Sequence, residues 1–159
     1  MKIKYLAAAA AMIVAGSASA AELIASVEQV KGGASAVGLD IVSDGSVAGF
    51  SFAIELPGVE AKAVRSSACV SQLPKGFSAQ CALNGGKLHV IASADASGTF
   101  LPAGVAAVGS VAISSPLAKN AALRISGFET SNDNGVSTAG SAKVDGVDMG
   151  DTAAETVAQ

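Results

Sequence analysis

Between Val47 and Leu56 the chain reads VAGFSFAIEL, which puts Ala48, Phe50, Phe52, Ile54 and Leu56 on one side of an extended backbone and Val47, Gly49, Ser51, Ala53 and Glu55 on the other. A two-residue period with large apolar groups on one face and small or polar groups on the other is the pattern of a strand covering a core. Full burial of Phe50, Phe52, Ile54 and Leu56 stabilises by roughly 1.5–3 kcal/mol each. No other segment carries as much side-chain volume, so this strand is expected to be the spine of a two-layer sandwich.

The same alternation recurs on both sides of it. Ala21 to Val30 reads as an edge strand, closed by Lys31-Gly32-Gly33, and Ser35 to Val42 turns Val37, Leu39 and Ile41 inward. Ser43-Asp44-Gly45-Ser46 predicts a hairpin turn into the spine, because Asp-Gly suits positive φ. After Leu56-Pro57-Gly58, Val59 to Cys69 predicts a strand, and the pattern dissolves around Pro74. Phe77 to Leu83 and Gly86 to Ala94 predict a hairpin joined at Asn84-Gly85, with Leu88, Val90, Ala92 and Ala94 on one face. Val105 to Ser114 is apolar on both faces and predicts a central strand. Ala121 to Phe128 and, after Asn134-Gly135, Val136 to Val144 complete the set. About nine short strands without a helical period predict an all-β, two-sheet β-sandwich.

The two ends depart from this pattern. Lys2 and Lys4 precede an apolar run from Tyr5 to Ala15, then Gly16, Ser17 and Ala18-Ser19-Ala20, the layout of a secretory signal peptide with cleavage between Ala20 and Ala21. The run is too short for a membrane span, and no later stretch fits one. The expected organisation is a signal peptide over 1–20, a sandwich domain over 21–146 and an acidic, frayed tail over 147–159. Export, to a periplasm or out of the cell, is the expected destination.

Charge and composition then narrow the function. Lys2 and Lys4 fall in the leader, leaving eight basic against thirteen acidic residues and no basic run, which argues against nucleic acid. The only Tyr is Tyr5 and there is no Trp, so the exported domain lacks the flat amphipathic rings usual on sugar-binding faces.

Few residues offer chemistry. Cys69 and Cys81, the only cysteines, lie twelve positions apart in an exported chain and predict a disulfide; a metal pair would lack His or Cys partners. His89, the only histidine, sits between Leu88 and Val90 on the face opposite the apolar set. Serines are plentiful, yet none lies in a nucleophile elbow. Ser131-Asn132-Asp133-Asn134-Gly135 resembles part of a calcium loop, but that alignment puts Thr130 and Ser141 where carboxylates belong, and an Asx-rich turn is the simpler reading. Asp145, Asp148 and Asp151 repeat every three residues in the tail, and Glu55 and Glu60 flank Pro57-Gly58. No catalytic, cofactor or metal site is predicted, and the chain reads as a non-enzyme.

VKGGASAVGLDIVSDGSVAGFSFAIELPG, from Val30 to Gly58, resembles the opening of a cohesin domain. Leu101-Pro102-Ala103-Gly104 leading into VAAVGSVAI, and SNDNG before a closing strand to Asp145-Gly146, are similar to its second half. Order and spacing cover Ser35 to Gly146. The resemblance implies a nine-stranded, jelly-roll-like sandwich related to carbohydrate-binding modules, and a non-catalytic module that binds a dockerin-like or other secreted protein and serves polysaccharide degradation. A carbohydrate-binding module that holds polysaccharide and a structural surface or matrix component are the alternatives.

Overall fold

The computed structural model describes residues 21–65, 69–115, 117, 123–144 and 147–151. Its strands are β1 (Glu22–Val30), β2 (Ala34–Ser43), β3 (Gly49–Glu55), β4 (Val64–Arg65), β5 (Phe77–Asn84), β6 (Lys87–Ala94), β7 (Gly104–Ile113), β8 (Arg124–Ser131), β9 (Ser137–Ala139), β10 (Ser141–Val144) and β11 (Val147–Asp151). They form a six-stranded sheet in the order β11-β10-β1-β2-β7-β4 and a five-stranded sheet in the order β5-β6-β3-β8-β9. The architecture is the expected all-β sandwich. Among the described residues no helix is long and apolar enough to cross a membrane.

The spine is β3, in the middle of the five-stranded sheet between β6 and β8. Ala48, Phe50, Phe52, Ile54 and Leu56 are all buried. Phe50 and Phe52 stack with ring centroids 6.1 Å apart, and Phe128 of β8 meets Phe52 edge-on at 6.4 Å. Such aromatic geometry adds about 0.5–1.5 kcal/mol per pair beyond area burial. Opposite them the six-stranded sheet contributes Leu23, Val37, Leu39, Ile41, Val111 and Ile113.

Several expectations need correction. β1 is an inner strand, antiparallel to β2 and parallel to β10, because the closing segment returns beside it. Ser43 to Ser46 joins strands of different sheets and is therefore an arch; the Asp44 carboxylate accepts the Ser46 N–H at 2.8 Å and closes the bend locally. The segment from Val59 makes a 3-10 turn over Ala61–Ala63 and only the two-residue β4, with 66–68 outside the described residues. Ala121 and Ala122 also lie outside them, and β8 runs on to Ser131.

The long strand β7 keeps one face inward only with a phase change. Val108 is an extra residue, since Leu39 pairs Gly109 and Asp40 pairs Ala107. A bulge of this kind flips the alternation, so Ala106, Val108, Val111 and Ile113 are buried while Val105 is exposed.

The closing segment is two strands. At Gly140 the chain leaves the five-stranded sheet for the six-stranded one: Gly140 N–H donates to Phe128 O (2.9 Å) and Ser141 N–H to Ala21 O (3.2 Å). A Cβ at 140 would stand 2.5 Å from both the Phe128 ring and the Ala21 carbonyl. Beyond Gly146 the chain continues as β11, antiparallel to β10, where a frayed tail was expected from Val147. The open edge of β10 supplies backbone partners, and ladder pairing needs no apolar period. Residues 1–20 and 152–159 lie outside the described residues.

Cys69 and Cys81 form the expected disulfide, Cα atoms 6.4 Å apart. The bridge ties the loop after β4 to β5. Within that loop Gln72 N–H donates to Val108 O at 3.1 Å, covering the margin of β7 that the short β4 leaves open. One side of the sandwich is thereby closed.

Candidate functional site: the outer face of the five-stranded sheet

The outward side chains of β5, β6, β3, β8 and β9 line up in four rows. Their register places Asn84, Lys87, Glu55 and Arg124 in the first, and Ala82, His89, Ala53 and Ser126 in the second. Gln80, Ile91, Ser51, Glu129 and Ala139 make the third, and Ser78, Ser93, Gly49, Ser131 and Ser137 the fourth. The middle strand contributes the small residues Gly49, Ser51 and Ala53, so the surface is low there, with Gly49 and Ala53 themselves buried beneath their neighbours. A Cβ at Gly49 would stand 2.7 Å from Ser131 Oγ, so the Ser131 side chain occupies the space over Gly49.

One large apolar side chain stands on this plane. Ile91 is 61% exposed, against Leu88 and Val90 of the same strand, which are fully buried. Beside it lies a shallow depression lined by Ser51, Ile91, Ser93, Glu129, Ser131 and Ser137. An apolar knob next to hydroxyls and a carboxylate is the mixed chemistry of a protein-recognition surface, whose anchors are apolar and whose rim is polar.

The first row is the charged border. Lys87 Nζ lies 2.7 Å from Glu55 Oε1 across β6 and β3, and Arg124 stands opposite Glu55 on β8. The hydrogen bond from Lys87, together with the positive fields of Lys87 and Arg124, holds the Glu55 carboxyl below the usual range, against a smaller upward push from desolvation. Glu55 is thus a fixed negative charge between two cations.

The residues singled out in the sequence do not converge. His89 is on this face, exposed, with Ala53 and Ala82 as direct cross-strand neighbours and no carboxylate opposite it. In the 131–135 loop, Asn132 Oδ1 accepts the N–H groups of Asn134 and Val136 at 3.0 Å each, making an Asx turn. The Asp133 carboxylate accepts from Ser97 Oγ at 2.6 Å and from Gly98 N–H at 3.2 Å. Glu60 pairs with Lys62 at 2.7 Å, so Glu55 and Glu60 belong to separate ion pairs. Asp148 and Asp151 fall in β11, where only the backbone is described, and Asp145 and Ala20 lie outside the described residues. Ala21 is buried at the start of β1.

Among the described residues no three His, Cys, Asp or Glu side chains gather as metal ligands, and no buried side-chain nitrogen or oxygen lacks a partner. The residue sequence reasoning missed is Ile91. Its signal was available, since it is the single large apolar side chain among the outward positions of β6.

No family model matches the chain, and no curated protein matches it. Solved structures do. A non-cellulosomal cohesin from the hyperthermophilic archaeon Archaeoglobus fulgidus is similar at 19% identity and a TM-score of 0.54, over 81% of this chain and 87% of that one. The type II cohesin A11 from Bacteroides cellulosolvens is similar at 13% identity and 0.53, over 84% of this chain and 99% of that one. A type II cohesin–X-dockerin complex from Acetivibrio cellulolyticus matches at 14% identity and 0.51, over 78% of this chain and 94% of the matched one. The two sheets thus share the shape of these domains, and the fold of this chain is that of cohesin domains.

Proposed function

We propose that this chain is an exported, non-catalytic module that binds a folded protein through the outer face of its five-stranded sheet, with dockerin-type modules as the first class of partner. The observation that carries the reading is the likeness over nearly the whole domain to cohesins, one of them in a complex with an X-dockerin. The face itself supports it: a flat plane of small residues, Ile91 as an exposed apolar anchor, and the Lys87–Glu55–Arg124 row as a charged border that would fix orientation.

Protein is favoured over polysaccharide as the ligand. Phe50, Phe52 and Phe128 are buried, and Phe100 is the only phenylalanine among the large exposed apolar residues. A sugar face built on stacking has no platform here.

The test is a biosensor titration of the mature chain against dockerin modules and the proteins exported with it. Saturable binding that Ile91→Glu abolishes, with the fold intact, is the expected result. Retention on glycan with no protein bound would overturn the reading.

A further inference from the structure

We infer that β5 is a dimerisation edge, pairing antiparallel with β5 of a second copy so that the five-stranded sheet runs unbroken through both molecules. The contrast among the sheet margins raises the question. β4 has two residues, β9 has three, and β11 carries Asp148 and Asp151 beside an irregular register. Short edges, charges and irregular pairing are the devices that keep sheet margins from joining. β5 has none of them: Phe77–Asn84 is eight residues of FSAQCALN, without a charge or a proline, in unbroken register with β6. Among the described residues no strand lies on its other side.

The turn fixes which backbone groups face outward. Gly85 and Gly86 have φ of 58° and 79°, a two-residue primed turn in which Asn84 and Lys87 bond to each other. Alternation then directs the N–H and C=O of Ala82, Gln80 and Ser78 toward β6, and those of Leu83, Cys81, Ala79 and Phe77 toward the free margin. Two bonds confirm the phase on the neighbouring strand: Ala94 N–H donates away from β5, to Ala48 O (2.7 Å), whereas Asp95 N–H donates to Gly76 O (2.7 Å). Phe77 N–H is taken by Pro74 O at 3.3 Å. Ala79, Cys81 and Leu83 are left as an outward ladder.

That ladder is complementary to itself. With Cys81 opposite Cys81 of the second copy, Ala79 meets Leu83 in both directions and every outward group finds a partner. On the outer face Gln80 then meets Ala82 and Ser78 meets Asn84, uncharged pairs with nothing to repel. The two-fold axis stands perpendicular to the sheet, so both molecules present their outer faces to the same side. Two binding faces are joined in this way; the bivalency rests on the function proposed above, while the pairing does not.

Sedimentation velocity of the mature chain across concentrations tests the pairing. The expected result is a mass that rises to twice that of the monomer, with slowed amide exchange at Ala79, Cys81 and Leu83. Ala79→Pro removes only an outward N–H, and Gln80→Lys places a charge from each copy beside the axis. Both are expected to stay monomeric with the wild-type melting temperature, and Ala79→Pro, whose side chain is not among the outward rows of the sheet, is expected to keep partner binding as well. Ala82→Pro removes an N–H that serves β6 and is expected to lower the melting temperature instead. A wild-type chain that remains monomeric to about 1 mM, where even a very weak dimer would register, overturns the inference. Variants at 79 and 80 that dimerise like wild type overturn it as well.

Discussion

Gly109 lies against the backbone of Val70: a Cβ at 109 would stand 2.6 Å from Val70 Cα and 2.9 Å from Cys69 O. Its φ of 149° is one that side chains rarely adopt. The bulge in β7 and the loop that covers its margin therefore meet at a residue with no room for a methyl group. Gly109→Ala is expected to destabilise by at least about 2 kcal/mol, from strain and overpacking together. Urea unfolding reads this directly, and an unchanged midpoint would show that the loop does not pack there.

The bridge next to that contact gives the second prediction. Cys69–Cys81 closes a short loop and also holds Gln72 over β7. Replacing both cysteines by Ser is expected to cost about 3 kcal/mol on the chain-entropy model. The amide of Gln72, whose bond to Val108 O is otherwise held in place, should lose its exchange protection first. Equal protection at Gln72 in the two forms would confine the bridge's effect to the unfolded chain.

How far the sequence disclosed this molecule depends on which force shaped each part. β2, β3 and β6 were readable because burying Val37, Phe52 or Val90 forces a two-residue period, and these residues are the core. The disulfide was readable because two cysteines in a chain with the layout of a secretory leader have few alternatives. β11 was not, since a strand added at an edge is held by backbone bonds that leave no apolar trace. Nor was the sheet change at Gly140, where the need for glycine comes from Phe128 and Ala21, residues distant in sequence. The phase of β7 was not readable either, because a bulge shifts it without changing composition. Of the candidate face, the small outward residues of β3 were visible in advance, but which strands flank β3 was not, so Ile91 could not be set beside Glu129.

Acid should reveal the charged border of that face. Glu55 has its pKa lowered in the folded protein, chiefly by the hydrogen bond from Lys87. A depressed carboxyl contributes stability that is present above its unfolded pKa, near 4.3, and lost as the pH falls through the lower folded value. Asp44, lowered by the Ser46 hydroxyl and N–H, acts with the same sign. Lys87→Met is therefore expected to flatten part of the fall in stability below about pH 4.3, and Ser46→Ala a separate part. Both effects should be modest at exposed sites and should shrink in high salt. Thermal melts at stepped pH decide the matter; curves for Lys87→Met parallel to wild type throughout would show that Glu55 does not draw on Lys87.

The start of the folded domain makes the last prediction. Ala21 is buried, its carbonyl accepts the Ser141 N–H at 3.2 Å, and Glu22 next to it reaches Lys143 Nζ at 2.8 Å. A signal peptidase needs an extended, accessible chain with small residues at the positions Ala18 and Ala20 occupy. Once β1 has docked between β2 and β10, the bond after Ala20 adjoins the buried Ala21 directly. A leader removed after Ala20, as the sequence leads one to expect, would have to be cut before β1 docks, and the mature chain is then expected to begin AELIASV. Ala20→Arg should leave a longer, membrane-retained precursor, which intact-mass measurement and N-terminal sequencing distinguish from the processed chain. A mature protein that begins well inside β1, for example at Val27, would be incompatible with the pairing of Glu22 through Ala25 with β10.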